Sequence, residues 1–383
     1  MHKPCSSCNC SRLAYPNIST NDSNNQRRAA AVYPRIQGGL GNQMFVIAAA
    51  SILANETDRR IVVNSEQTGV PSFGAPQPVF WHTVFHSPYL VKGTDYQVAG
   101  ADVLDEQQFF DSSTNDFRNL MHSRDIELLG GFIRYDVNIR YRKLLLEIFE
   151  PTSEVQRWTN DVALKLGLAN REDDVPSSLS ESVHDRNYSE AKLARRPEEI
   201  QPIITKTNDQ SVSWCYLSDP KSCEKKIFPL ACKSESCKDN IALHLRLQDS
   251  SSSGDYWSQD DLRTIRSYLH DAIQERKERR VVIFSNDLKR ARKIMESEAS
   301  SVSGQMEYSS SLDVVEFFLM SQYFGTHVLT PLGSTFQMWA LFLSRLPVVK
   351  VLVLPGKIAL LEDFKKLPHV IVEMVGGGSV KSL

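Results

Sequence analysis

No apolar run in this chain approaches the roughly 18 residues that a membrane-spanning helix needs. The longest near-apolar stretch, residues 44–54, is too short and reads as a buried helix. A strong charge of either sign is missing too. Lys and Arg number 44 against 46 Asp and Glu, a net of −2, which argues against bulk binding of nucleic acid. One segment is basic: residues 263–293 carry ten basic and four acidic side chains. It has helical spacing and lacks regular aromatic interleaving, so it reads as a solvated face. The start has no secretory apolar region. Acidic residues are nearly absent from residues 1–33, where Asp22 stands alone against Lys3, Arg12, Arg27 and Arg28. That Ser- and Asn-rich, basic composition suits an organelle transit peptide, and equally a disordered tail without an address. Of the seven cysteines, Cys5, Cys8 and Cys10 sit in this tail. Cys215, Cys223, Cys232 and Cys237 cluster later without a C-x-x-C pair, so the usual zinc spacing is missing and no metal is expected. Disulfides there require an oxidising compartment; free thiols do not.

What is present is an α/β rhythm. The chain has 383 residues, 41% of them hydrophobic and 23% charged, enough for two globular domains. Residues 32–36 read as a strand and residues 38–41 as a tight Gly-rich loop. Residues 42–56 read as a helix with Asn42 at its N-cap, and residues 60–64 as a second strand: a βαβ opening. Residues 66–100 read as a long loop region. A strand near 127–132 follows, then a helix over 138–149 that ends at Pro151. Residues 152–239 break the pattern, and from 171 to 209 they are Ser-, charge- and Pro-rich. They read as an insertion or interdomain segment, partly disordered. From residue 240 the rhythm resumes. Strands are expected at 241–245, 281–284, 326–330 and 347–354. Helices are expected at 258–279, after 287, at 312–323 and at 333–343. Ser258 with Asp261 makes a capping box for the first of these helices. Strands alternating with helices imply a parallel, doubly wound sheet.

Three groups of candidate site residues fall at carboxyl ends of expected strands in the second half, the edge where open α/β sheets bind ligands. His244-Leu245-Arg246-Leu247-Gln248-Asp249 places His244 and Arg246 on one strand face. Arg246 suits a phosphate, because its planar fork stays charged and donates two parallel bonds. The competing reading is an Arg–Asp pair beside a core histidine. Ser285-Asn286-Asp287 either reads a base or ribose or caps the next helix. Ser334, Thr335 and Phe336 start a helix, as a phosphate cradle or as a plain N-cap. In the first half, Gly38, Gly39, Gly41, Asn42 and Gln43 open a helix where anions are favoured. That loop is neither a Walker loop nor the dinucleotide fingerprint, because no Gly-Lys-Ser/Thr follows and no third Gly falls in place.

The segment 38–45, Gly-Gly-Leu-Gly-Asn-Gln-Met-Phe, resembles the opening motif of the α-1,2-fucosyltransferase family (glycosyltransferase family eleven). Residues 244–249 are similar to its H-x-R-x-x-D donor motif, and Phe284-Ser285-Asn286-Asp287 to its F-S-D-D segment. Met320-Ser321 and Ser334-Thr335-Phe336 with Trp339 resemble its closing segments. All occur in the family's order. The resemblance implies a GT-B-like α/β fold, two doubly wound Rossmann-like domains facing a cleft. On this basis residues 34–151 form the acceptor-side domain and residues 240–383 the GDP-fucose-binding domain. It implies transfer of fucose from GDP-β-L-fucose to the 2-OH of a β-galactoside, with inversion and without a metal. The partners it implies are GDP-fucose and a galactose-terminated glycan. Arg246 is then expected at the donor pyrophosphate, supported by His244 and Asp249. Ser285, Asn286 and Asp287 are expected near the nucleoside, and Ser334, Thr335 and Phe336 near the phosphates or fucose. The loop from Gly38 to Gln43 is expected to face them across the cleft. The chain departs from the family at Leu247, where a second Arg is usual, and at Asn286, Gly333, Gln337 and Met338. These departures leave a second reading open, a non-catalytic nucleotide-sugar or glycan-binding protein on the same fold. Anchorless relatives include mitochondrial forms, which agrees with the basic start; Golgi and cytoplasmic addresses are the alternatives.

Overall fold

The computed structural model describes residues 30–64, 69–72, 75–77, 84–85, 90–93, 100–115, 117, 125–169, 239–247, 257–276, 278–296, 306–311, 313–329, 334–354 and 364–375. The first half runs β1 (Ala31–Pro34), α1 (Leu40–Thr57), β2 (Arg60–Asn64), β3 (Gly69–Ser72), β4 (Ala75–Gln77), β5 (Leu90–Gly93), β6 (Asp102–Asp105), α2 (Glu106–Asn115), β7 (Ile126–Leu129), α3 (Tyr135–Arg140), α4 (Arg142–Ile148) and α5 (Ser153–Lys165). Five of its strands form one parallel sheet in the order β5-β2-β1-β7-β6, while β3 and β4 pair antiparallel apart from it.

The second half runs β8 (Ile241–Leu245), α6 (Gln259–Glu275), β9 (Val281–Ser285), α7 (Leu288–Glu296), β10 (Met306–Tyr308), α8 (Asp313–Tyr323), β11 (Thr326–Val328), α9 (Thr335–Phe342), β12 (Val349–Val353) and β13 (Val370–Met374). Its six strands are all parallel, in the order β10-β9-β8-β11-β12-β13. Counted from β8, that order is 3-2-1-4-5-6, the order of dinucleotide-binding folds. The chain reverses direction across the sheet between β8 and β11, and the crevice outside their carboxyl ends is where such folds hold a ligand. The expected architecture of two parallel, doubly wound sheets is what the chain adopts.

The layer between the two sheets explains the composition of α1. One core cluster joins Val32, Ile61, Val63 and Leu128 of the first sheet to Ala242, Val282, Phe284 and Val351 of the second. Between them lie α1, α4, α5, α8 and α9. A helix enclosed on all sides must be apolar all round, and residues 43–54 of α1 are all buried. A second cluster fills the other face of the second sheet, where α6 supplies Leu262, Ile265, Leu269 and Ile273 at helical spacing.

Several expectations need correction. The N-cap of α1 is Gly39, not Asn42, and the helix begins at Leu40. Asn42 lies inside the first turn, where its side chain is free to reach another element. The helix expected at 138–149 is two helices, α3 and α4, broken at Tyr141, whose ψ of 16° leaves the helical range. The region 66–100 is not loop throughout, since β5 adds an edge strand to the first sheet. The first part of the segment read as an insertion is α5, capped by Thr152. It is tied to α8 by paired amide bonds between Gln156 and Gln322 and by Tyr323 Oη donating to Asn160 at 3.0 Å. Residues 170–238, including the four clustered cysteines, lie outside the described residues, as do residues 1–29.

Candidate functional site

Three of the four groups singled out in the sequence meet at the carboxyl edge of the second sheet, and the fourth touches one of them, the start of α9. β8 ends on Leu245, and Arg246 follows it into solvent. Among the described residues Arg246 makes no ion pair; the charges nearest it include Asp313 at the start of α8, within electrostatic reach. Asp249 lies outside the described residues, so the expected Arg–Asp pairing lies there too. His244 does take the same side as Arg246, which lowers its pKa. Burial is the larger cause, and together they push the imidazole down to about 3. His244 is therefore neutral throughout the working range of pH, and it does not serve as a general acid or base near pH 7. Its ring faces Phe336 of α9, with centroids 5.5 Å apart. Its Nδ1 is sealed from solvent without a hydrogen-bond partner among the described residues.

Across the crevice, α9 begins at Ser334, whose side chain makes no capping bond. Ser334 is only 3% exposed, and its Oγ has no partner among the described residues. A buried hydroxyl left unpaired is costly, and beside a helix N-terminus it is one more group able to bind an anion. The plain N-cap reading of Ser334 therefore does not hold, because the capping bond is not made.

Ser285, Asn286 and Asp287 behave differently. Asp287 Oδ1 accepts from Arg290 N at 3.0 Å and caps α7. Ser285 Oγ accepts from Asp287 N at 3.2 Å. Asn286 grips the backbone of Leu247: its Oδ1 accepts from Leu247 N at 2.8 Å, and its Nδ2 donates to Leu247 O at 2.7 Å. This clamp fixes the turn that carries Arg246, so Asn286 positions that turn whatever else it touches. Leu247 itself is 3% exposed, so the place where the resemblance leads one to expect a second Arg is apolar and buried.

All three residues still line a polar depression of about 650 Å³ at the ends of β8, β9 and β10. The sequence reading missed its other wall: Arg290, Ser309, Ser310, Ser311, Asp313 and Glu316. Glu316 on α8 is 7% exposed. It accepts from the Ser309 hydroxyl and the Ser311 N–H, with Asp313 one turn away. No Lys or Arg among the described residues pairs with it. Burial raises its carboxyl to about 8, Asp313 adds to the rise, and the two hydrogen bonds oppose it. The signal available in the sequence was an acidic residue inside an otherwise apolar helix, Val314 to Met320, where a charge at a core position needs a reason.

The Gly-rich loop does not face Ser334–Phe336 across a gap; it touches Thr335 and Phe336. Gly38 adopts φ +74°, a left-handed conformation that favours glycine. Gln43 is buried and holds the loop, with Nε2 donating to Gly38 O at 3.0 Å. Thr335 Oγ1 donates to Asn42 Oδ1 at 3.0 Å. A Cβ on Gly41 would lie 2.7 Å from the Thr335 carbonyl carbon, Thr335 Oγ1 and Phe336 N. The first turns of α1 and α9 thus pack backbone to backbone, which explains the glycine. We expect Gly41→Ala to force the two helices apart and cost about 1–3 kcal/mol, the usual price of overpacking. Denaturant unfolding measures this, and an unchanged midpoint would contradict the contact.

No protein-family model matches the chain. No curated protein matches it either. Among solved structures the chain is similar to the NodZ α-1,6-fucosyltransferase soaked with GDP-fucose, at 10% identity over 82% of this chain and 93% of that one, TM-score 0.44. It is similar to POFUT1 in complex with GDP-fucose, at 8% identity over 82% and 94%, TM-score 0.42. It is also similar to an Arabidopsis thaliana FUT1 mutant in complex with GDP, at 11% identity over 92% and 71%, TM-score 0.42.

Proposed function

We propose that the protein is an inverting glycosyltransferase that moves fucose from GDP-β-L-fucose to the 2-OH of a β-galactoside. The observation that carries this reading is convergence. Segments far apart in the chain come together at the carboxyl edge of the second sheet: Asn286 holds Leu247, His244 lies against Phe336, and Thr335 and Phe336 in turn touch the Gly38–Gln43 loop. They are the same segments that resemble, in order, the fucosyltransferase motifs. In this reading the diphosphate lies against Arg246 and the start of α9, and the nucleoside enters the depression lined by Ser285, Asp287, Arg290 and Glu316.

The acceptor oxygen bonds to the anomeric carbon of fucose as the bond from that carbon to the phosphate oxygen breaks. The acceptor's hydroxyl proton passes to water, and GDP departs with the bonding pair. Negative charge grows on the departing diphosphate. The groups placed to stabilise it are the Arg246 guanidinium and the backbone N–H groups at the start of α9. The Asn286 clamp holds the backbone turn from which Arg246 extends, and α9 is held by its contact with α1.

Buried Leu247 favours a second reading, a nucleotide-sugar-binding protein without turnover. With that side chain in the core, no second cation stands beside Arg246 at that position. Incubation with GDP-fucose and lacto-N-biose separates the two. Fucose at O2 of galactose, with inverted anomeric configuration, supports transfer. Binding of GDP-fucose without product supports the second reading.

A further inference from the structure

The helix that presents Ser334 to the site is held at its far end by the other half of the molecule. Arg142 opens α4 in the first half of the chain. Its Nε donates to Phe342 O at 2.9 Å, and its Nη2 donates to Ser344 O at 2.6 Å. Phe342 O is at the end of α9, where a helix leaves its last C=O groups without intrahelical partners, and Ser344 O lies just beyond the C-cap, Leu343. The guanidinium is half-buried and lies over the Phe342 ring, 6.0 Å from its centroid. Among the described residues it has no carboxylate partner. Arg345 acts on it and repels it. His369, from the end of the second sheet, adds a contact of 3.3 Å from Nε2 to Leu341 O.

At the opposite end of α9 lie Asn42 on Thr335 and Gly41 against Phe336. The first half of the chain therefore grips α9 at both ends. The helix has eight residues, about 12 Å at 1.5 Å per residue. A rigid rod that short transmits a tilt at one end to the other. Between the two grips Trp339 packs on Phe45 and Phe149, with centroids 5.0 and 5.1 Å away.

We propose that Arg142 is a positioning residue for the donor. By holding the carboxyl end of α9 it sets where the helix start, with a Ser334 Oγ that has no partner among the described residues, meets the donor diphosphate. This rests on the reading that the start of α9 receives that diphosphate. Arg suits the task better than Lys, because its planar fork spans two carbonyls at once where an ammonium reaches one. A cation at this end also complements the helix dipole.

Calorimetric titration of GDP into the full-length wild-type, Arg142→Met and Arg142→Lys proteins tests the inference, followed by turnover with GDP-fucose. Arg142→Met is expected to raise the GDP Kd and the donor KM about tenfold, with the acceptor KM unchanged. Arg142→Lys is expected to recover part of the loss. A purely structural role would lower the fraction of binding-competent protein and leave Kd and donor KM unaltered. An unchanged Kd in Arg142→Met overturns the proposal. Where that variant does not fold, a wild-type Kd in Arg142→Lys overturns it. Absence of GDP binding by the wild-type protein overturns the donor reading itself, and the inference with it.

Discussion

Arg246→Ala is expected to lower fucose transfer by on the order of 10²–10³-fold, the usual cost of removing one fixed donor from a developing oxyanion. The fold should be unaffected. Arg246 leaves β8 for solvent and forms no ion pair with any described residue. Its removal therefore breaks no ion pair among the described residues. The loss should fall on turnover, because charge on the diphosphate is greater in the transition state than in bound GDP-fucose. Arg246→Lys keeps the charge but loses the planar fork, so partial activity is expected. Circular dichroism and unfolding midpoints check the fold, and initial rates with saturating acceptor check the chemistry. A folded Arg246→Ala protein with wild-type rates would contradict the assignment.

Glu316→Gln is expected to change how stability depends on pH. The Glu316 carboxyl sits near 8 in the folded protein against an ordinary value of 4.5. Between those values the folded state holds a proton that the unfolded state has released. Stability therefore falls as pH rises through that window, by up to about 1.4 kcal/mol per pH unit. His244 and His327 act in the opposite sense. Burial lowers them to about 3 and about 4 from 6.5. Below pH 6.5 the unfolded chain takes up protons that these folded imidazoles refuse, so stability falls as pH drops. Two histidines outweigh one carboxyl where the windows overlap. These three groups together place maximum stability near pH 6.5, with an acid limb from the histidines and an alkaline limb from Glu316. Gln cannot ionise, so the substitution should flatten the limb between pH 6.5 and 8 and make the variant more stable than wild type at pH 8. Denaturant melts across pH 5–9 measure both limbs. An alkaline limb of wild-type slope in Glu316→Gln would refute the account.

The elements most legible in the sequence were those whose neighbours are local. The strand over 241–245 was expected at its full length, and the Ser258–Asp261 capping box forms as read. Its two bonds lie within one turn, so the residues themselves specify it. What escaped the reading depended on distant partners. β5 is a four-residue edge strand whose identity comes from pairing with β2. Asn42 looked like a cap because its type suits one, yet its partner is Thr335, nearly 300 positions away. Gly41 was read as part of a helix start that favours anions, and what it approaches is the backbone of α9. The site residues that were missed share this cause. Arg142 and Glu316 carry no local motif, and their significance comes from α4 meeting α9 and from α8 flooring the depression. Of the candidates, His244, Arg246 and Ser334 stand at the crevice. Asn286 and Asp287 reach it with side chains already engaged by backbone.

The most direct measurement is a crystal structure of the protein with GDP bound. The diphosphate is expected within hydrogen-bonding distance of Arg246 and the first N–H groups of α9, with the base in the depression beside Glu316. GDP elsewhere on the molecule, or no bound GDP at saturating concentration, would contradict it.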